Sequence, residues 1–250
     1  MSELARRGER DPDDYYATTP PMALLACQTL RSDFIANPGV ILEPSSILEP
    51  GCGSGSWLPG IRATWPSARI LGVERNPELA DYSRRRGFTV EQRDLLRGEL
   101  GTYDLIVGNP PFKYADELIP MLLTRLRPGG VLAFLLRLNF FEGQDRYERF
   151  WRIYPATAAY PLPARPGFTA DGGTDGTGYM ICCWQQGKAG PTRLRHLDNR
   201  FVQVKWNGTP ALKEKGVVVR AAVLDPAFPD PRTRPEVSPP VVAPVARRWF

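Results

Sequence analysis

At 250 residues, of which 42% are hydrophobic, the chain can bury one full α/β core with some tens of residues to spare, so one catalytic domain plus a small extra element is expected. No run approaches the roughly 18 apolar residues of a membrane span, and the polar stretch from Met1 to Asp14 lacks the apolar segment of a signal peptide; a cytoplasmic protein with no membrane partner is expected. The net charge of +5 is uneven: residues 187–250 hold 12 Lys/Arg against 5 Asp/Glu while residues 1–186 hold 20 against 22, which suits either a phosphate-rich partner at the C-terminal quarter or a solvated basic tail.

In chain order, residues 1–45 form an N-terminal segment in which Pro20-Pro21 introduces a helix over Ala23–Phe34. From Ser46 to about Gln186, short apolar runs alternate with helical stretches, the pattern of a doubly wound α/β sheet. Strands are predicted near Ile47–Glu49, Arg69–Glu74, Phe88–Gln92, Asp104–Val107, Val131–Leu136, Arg152–Ala159 and Tyr179–Trp184. Helices are predicted at Trp57–Thr64, Pro77–Arg86, Ala115–Leu126 and Gln144–Trp151. Leu118, Met121, Leu122 and Leu126 recur at helical spacing, and Pro128-Gly129-Gly130 supplies the stop before the next strand. Residues 187–225 read as a small basic appendage with strands at Phe201–Trp206 and Gly216–Val223. Dense prolines over 226–250 predict a disordered or surface-draped tail.

Ile47-Leu48-Glu49-Pro50-Gly51-Cys52-Gly53-Ser54-Gly55 sets three glycines at alternate positions between a strand and a helix. Glycine there lets the backbone turn tightly and approach a ligand with no Cβ in the way. Glu74 ends the next strand, where a carboxylate can accept both ribose hydroxyls of an adenosine group. Asp94 follows the third strand on the same edge and can accept from an adenine amine. Together the loop and the two acids describe a nucleoside pocket. A dinucleotide site would place its third glycine one residue later, as Gly-x-Gly-x-x-Gly, whereas the spacing here is Gly51-x-Gly53-x-Gly55 with Glu49 ahead of it.

Tyr103 to Phe112 runs a strand directly into Asn109-Pro110-Pro111-Phe112, delivering Asn109 at the carboxyl edge on a backbone with little freedom. An aromatic amine or amide nitrogen is a poor nucleophile because its lone pair is delocalised. Two acceptors, the Asn109 side-chain oxygen and the Pro110 carbonyl, can draw such a nitrogen toward tetrahedral geometry, and Phe112 can stack on a planar group. No histidine base is needed, and the single histidine, His196, lies among arginines outside the apparent core. Cys27, Cys52, Cys182 and Cys183 show no metal-ligand spacing, so no metal is expected and the thiols are read as reduced and structural.

Glu49 with its glycine loop resembles the first motif of S-adenosylmethionine-dependent methyltransferases. The resemblance implies S-adenosyl-L-methionine as cofactor, with the acid near its methionine portion and Gly51, Cys52, Gly53, Gly55, Glu74, Asp94 and Asn109 around it. It also implies the Rossmann-like class I fold, a seven-stranded mostly parallel sheet with helices on both faces, over a catalytic core of residues 46–186. Asn-Pro-Pro-Phe resembles the catalytic motif of amino-methyltransferases that act on adenine N6, cytosine N4, guanine N2 or protein glutamine.

Tyr15-Tyr16-Ala17-Thr18-Thr19-Pro20-Pro21 resembles the N-terminal cofactor motif of DNA adenine-N6 methyltransferases, which implies that Thr19 and Pro20 close over the methionine end. Leu136 to Gly143, Pro166 to Thr169 and Gly172 to Gly176 resemble segments of compact prophage-type members of that family. This implies adenine N6 in DNA as the target and nucleic acid as the partner, DNA ahead of RNA. RNA methylation, protein glutamine methylation and a non-catalytic nucleic-acid-binding module stay open. The chain lacks the sizeable target-recognition domain of larger members, so its sequence specificity is expected to be short, relaxed or supplied by a partner.

Overall fold

A computed structural model describes residues 18–199 apart from 36, 38, 42, 167–175 and 189. The two appendage strands, the proline-rich tail, Tyr15 to Ala17 and most of the Gly172–Gly176 stretch therefore lie outside the described residues. No helix among the described residues is long and apolar enough to cross a membrane.

The chain builds one mixed sheet in the order β3-β2-β1-β4-β5-β7-β6-β8. The strands are β1 (Ser46–Pro50), β2 (Arg69–Glu74), β3 (Val90–Gln92), β4 (Tyr103–Gly108), β5 (Leu126–Arg137), β6 (Ala158–Pro161), β7 (Tyr179–Gln185) and β8 (Arg193–Leu194). All pairings are parallel except those of β7, which runs antiparallel to β5 and β6. Such a sheet needs cover on both faces, and its strands alternate between two cores. Ile47 of β1 with Leu105 and Val107 of β4 packs against Leu30, Trp57 and Trp65 on one face. Leu48 and Ile106 pack with Leu118, Leu122 and Phe134 on the other.

Helix α1 (Pro20–Ile35) precedes β1, and α2 (Leu58–Thr64), α3 (Pro77–Arg85) and α4 (Ala115–Leu123) join successive strands. Pro20 and Pro21 form the first turn of α1 rather than a turn ahead of it, because proline's fixed φ suits a position whose N–H needs no helical partner. Where α1 crosses α2, a Cβ on Gly60 would lie 2.9 Å from the Leu24 backbone nitrogen, so only glycine allows that approach.

Four expectations are corrected. Helix α4 stops at Leu123, and Leu126 starts a strand. Pro128-Gly129-Gly130 lies inside β5 as an irregularity: the β4 register steps from Tyr103↔Leu126 to Leu105↔Val131, with Gly129 at φ +77°. Residues 152–157 are not strand; the chain passes from an α turn at Gln144–Arg146 through a π turn at Tyr147–Trp151 before β6 begins at Ala158. There Trp151 stacks between Phe141 and Trp184, and its indole N–H donates to the Phe140 carbonyl at 3.0 Å. Among the described residues the sheet also has eight strands rather than seven, continuing past residue 186 through β8 beside β6. Buried Asp33 of α1 secures that edge, accepting hydrogen bonds from Tyr160 of β6 and, at 2.6 Å, from Arg195 beyond β8.

Asp104 fastens the opposite end of the sheet from the site. Its Oδ2 accepts from the Ser45 amide at 2.8 Å and hydroxyl at 2.7 Å and from the Ser46 amide at 3.1 Å, while Arg127 of β5 donates to Oδ1 at 3.2 Å. Burial alone would raise its carboxyl, but these donors outweigh it and hold the group below the usual carboxylate range. Its stabilisation is thus complete above the unfolded value of about 3.9 and is lost as pH falls through the folded one. Asp104→Ala is expected to cost about 3 kcal/mol at neutral pH, read by denaturant unfolding, and to flatten the acid limb of stability against pH.

Candidate active site

β1 pairs with β2 on one side and β4 on the other, so the chain reverses its winding there, and the carboxyl ends of these strands form the edge at which open α/β sheets take their ligands. Gly51, Gly53 and Gly55 line that edge with φ of +63°, +52° and +74°, a region that L side chains avoid. The loop is closely held: Cys52 N–H donates to the Val73 carbonyl at 2.9 Å, Gly53 N–H to Glu74 Oε2 at 2.7 Å, and Gly55 N–H to the Cys52 carbonyl at 2.8 Å.

Glu74 therefore has a structural partner on each oxygen, since Oε1 accepts the Asn76 N–H at 2.8 Å. Carboxylate oxygens have further lone pairs, so this leaves acceptor capacity at that edge. Asp94 is placed at the end of the neighbouring strand, where Arg93 N–H bonds the Glu74 carbonyl at 2.9 Å. Its Oδ1 accepts from Leu96 N–H at 3.0 Å, closing a local turn, and Arg97 lies 3.8 Å from Oδ2.

Glu49 is 2% exposed, and its Oε2 has no hydrogen-bond partner among the described residues. Burial drives its carboxyl well above the usual carboxylate range; the Trp57 backbone N–H opposes this, nearby Glu74 reinforces it, and Arg86 opposes it. A buried, orphaned acid oxygen beside a glycine loop fits a site that receives a polar or cationic ligand group. A Cβ on Gly108 would lie 3.4 Å from Glu49 Cγ, and one on Gly51 would lie 3.4 Å from Pro111 Cδ. The glycine loop, Glu49 and the turn carrying Asn109 thus lie at one edge of the sheet.

Pro20 opens α1, and the Thr19 carbonyl just ahead of it accepts the Ala23 N–H at 3.1 Å. Thr18 is 1% exposed, and its Oγ1 has no hydrogen-bond partner among the described residues. Burial pushes all four thiols up, so they stay protonated and inert.

Phe112 is less open than expected, because the Arg137 guanidinium lies 5.0 Å over its ring and Tyr179 is 5.8 Å away, tilted by 47°. Arg137 was not singled out by sequence reasoning. Its only signal is its place as the last residue of β5, directly across the ladder from Tyr179.

No family model matches the chain. Trans-aconitate 2-methyltransferase of Azoarcus sp. (strain BH72) is 34% identical over 134 residues, covering 49% of this chain and 53% of that protein. The type II methyltransferase M.CvrRI of Paramecium bursaria Chlorella virus XZ-6E is 36% identical over 72 residues, covering 28% of this chain and 19% of that protein. The chain thus spans about half the length of the first of these relatives and less of the second. A class I S-adenosylmethionine-dependent methyltransferase from Listeria monocytogenes superposes with a TM-score of 0.58 at 15% identity, over 83% of this chain and 71% of that one. At such identity the likeness is one of architecture, and it agrees with the strand order described above: the chain has the Rossmann-like fold of the class I S-adenosylmethionine-dependent methyltransferases.

Proposed function

We propose that the protein transfers a methyl group from S-adenosylmethionine to an exocyclic amino group, adenine N6 in DNA being the preferred target. When bound, S-adenosylmethionine supplies a methyl group made electrophilic by its sulfonium. The observation that carries the reading is the nearness of the Asn109-Pro110-Pro111-Phe112 turn to the glycine loop, with Pro111 Cδ 3.4 Å from where a Cβ on Gly51 would sit. In this reading Glu49, Gly51, Cys52, Gly53, Gly55, Glu74 and Asp94 receive the donor, with Thr19 and Pro20 at its methionine end. Asn109 and the Pro110 carbonyl hold the two hydrogens of the target amine, which localises the nitrogen lone pair. The likeness to a viral type II methyltransferase and a viral modification methylase supports nucleic acid as the substrate class, as does the basic charge of residues 187–250.

A second reading is O-methylation of a small carboxylic acid, the substrate type named for the Azoarcus relative. Arg137, beside Phe112 at the same edge, is the feature that favours it, since a guanidinium recognises carboxylates. Incubation with labelled donor and separate DNA, RNA, release-factor protein and trans-aconitate distinguishes these readings. Label in the adenine of DNA is the expected result; label in trans-aconitate, RNA or protein moves the activity elsewhere, and no transfer with no donor binding favours a non-catalytic nucleic-acid-binding module.

Glu74→Ala is expected to raise the donor Kd by roughly tenfold, the size of one charged hydrogen bond, before it affects turnover. The loss combines a ribose acceptor with the partner of the Gly53 and Asn76 amides. Calorimetric titration with S-adenosylmethionine measures it.

A further inference from the structure

The glycine loop is also gripped from behind. Ser83, fully buried near the end of α3, donates its hydroxyl to the Gly53 carbonyl at 3.2 Å. Arg86, the residue that follows α3, donates to the Ser54 carbonyl at 2.9 Å. A Cβ on Gly55 would lie 2.9 Å from Ser83 Oγ, so the loop is seated directly on this helix end. The Arg86 guanidinium is in turn set between two rings, 5.6 Å from the centre of Tyr82 and 5.5 Å from that of Phe88. Two consecutive carbonyls are thus turned toward α3 by side chains about 30 residues away in sequence.

A trans peptide points its N–H opposite to its carbonyl. Fixing the Gly53 and Ser54 carbonyls therefore fixes the amides of Ser54 and Gly55. Three left-handed glycines in five residues would otherwise give the loop many conformations, and ordering them on ligand binding would cost affinity.

We propose that Ser83 and Arg86 are positioning residues for the donor site, a brace that holds the glycine loop in its ligand-receiving conformation before any ligand arrives. This rests on the methyl-donor reading for the identity of the ligand but not for the brace itself. The Arg86 guanidinium also adds the smallest of the influences on the Glu49 carboxyl, favouring its ionised form. The titratable and charged groups around Glu49 are Cys27 of α1, Cys52 of the loop, Glu74 of β2 and Arg86, and Arg86 is the cation that favours the ionised acid.

The test uses the full-length protein and its Ser83→Ala, Arg86→Met and Arg86→Lys variants. Amide hydrogen exchange of residues 52–55 is measured without ligand, and S-adenosylmethionine is titrated by calorimetry across pH. Exchange in the loop is expected to rise in Ser83→Ala and Arg86→Met. Donor affinity is expected to fall roughly tenfold in Arg86→Met and about threefold in Ser83→Ala, the sizes of a charged and a neutral hydrogen bond. The pH at which affinity changes should move upward in Arg86→Met and return toward the original in Arg86→Lys, which a packing defect would not produce. Unchanged loop exchange in both Ser83→Ala and Arg86→Met overturns the brace whatever the ligand does. Raised exchange in a protein that does not bind the donor even unsubstituted upholds the brace and removes the donor reading instead. Should Arg86→Met fail to fold, Ser83→Ala and Arg86→Lys decide the matter by the same two readouts.

Discussion

Asn109→Ala is expected to lower the rate of methyl transfer by about 10²–10³-fold, the scale of losing one preorganised polar group at a reacting centre, while the donor binds almost as before. The separation follows from where the residue sits. Asn109 leaves β4 at the carboxyl edge of the sheet and its turn approaches the glycine loop at Pro111, whereas the loop itself is held by β1, β2 and α3. Truncating the amide removes an acceptor from the target nitrogen and leaves the loop's own hydrogen bonds intact. Asn109→Asp keeps an oxygen acceptor in place and is expected to retain more activity than the alanine variant. Single-turnover transfer to an adenine-containing duplex, alongside calorimetric titration of the donor, measures both quantities. Equal losses in transfer and donor affinity would mean that Asn109 serves the donor and not the amine.

What could be read from the sequence follows the range of the forces involved. β2 matches Arg69–Glu74 to the residue because a short apolar run is bounded by a charge at one end and an Asn76-capped, Pro77-led helix at the other, all local signals. The glycine loop and Asn109 were legible for the same reason, since the backbone demands of a tight turn are written in consecutive residues. β8 escaped because two residues, Arg193 and Leu194, carry no periodicity and become strand only by pairing with β6. The Pro128-Gly129-Gly130 stop misled because Gly129 at positive φ lets β5 continue through an irregularity, while its carbonyl accepts Ile41 N–H at 3.1 Å. Ser83, Arg86 and Arg137 were invisible because their partners are set by packing between elements. A serine near a helix end and arginines after a helix or at a strand end look like ordinary surface residues until packing gives them partners in another element.

Glu49 gives the other large expected effect, and its sign follows from its burial. The folded carboxyl is raised well above the unfolded value of about 4.3, so the folded state retains a proton that the unfolded state has released. Stability from this group is therefore greatest below the unfolded value and falls as pH rises toward the folded one. Glu49→Gln removes that penalty and is expected to raise Tm at neutral pH. The same substitution is expected to weaken S-adenosylmethionine by roughly a hundredfold or more, because the donor's α-ammonium loses a buried ionised partner. If Glu49 receives the donor's ammonium in the unsubstituted protein, the acid ionises on binding, so affinity is expected to climb with pH through the folded value and binding to release a proton. Calorimetry in two buffers of different ionisation enthalpy detects that proton, and it should vanish in Glu49→Gln. Gain of stability with unchanged donor affinity would make Glu49 a buried structural acid. Loss of affinity together with gain of stability would show why an orphaned carboxyl is kept at the end of β1: an acid that destabilises the empty protein is one that a cation relieves.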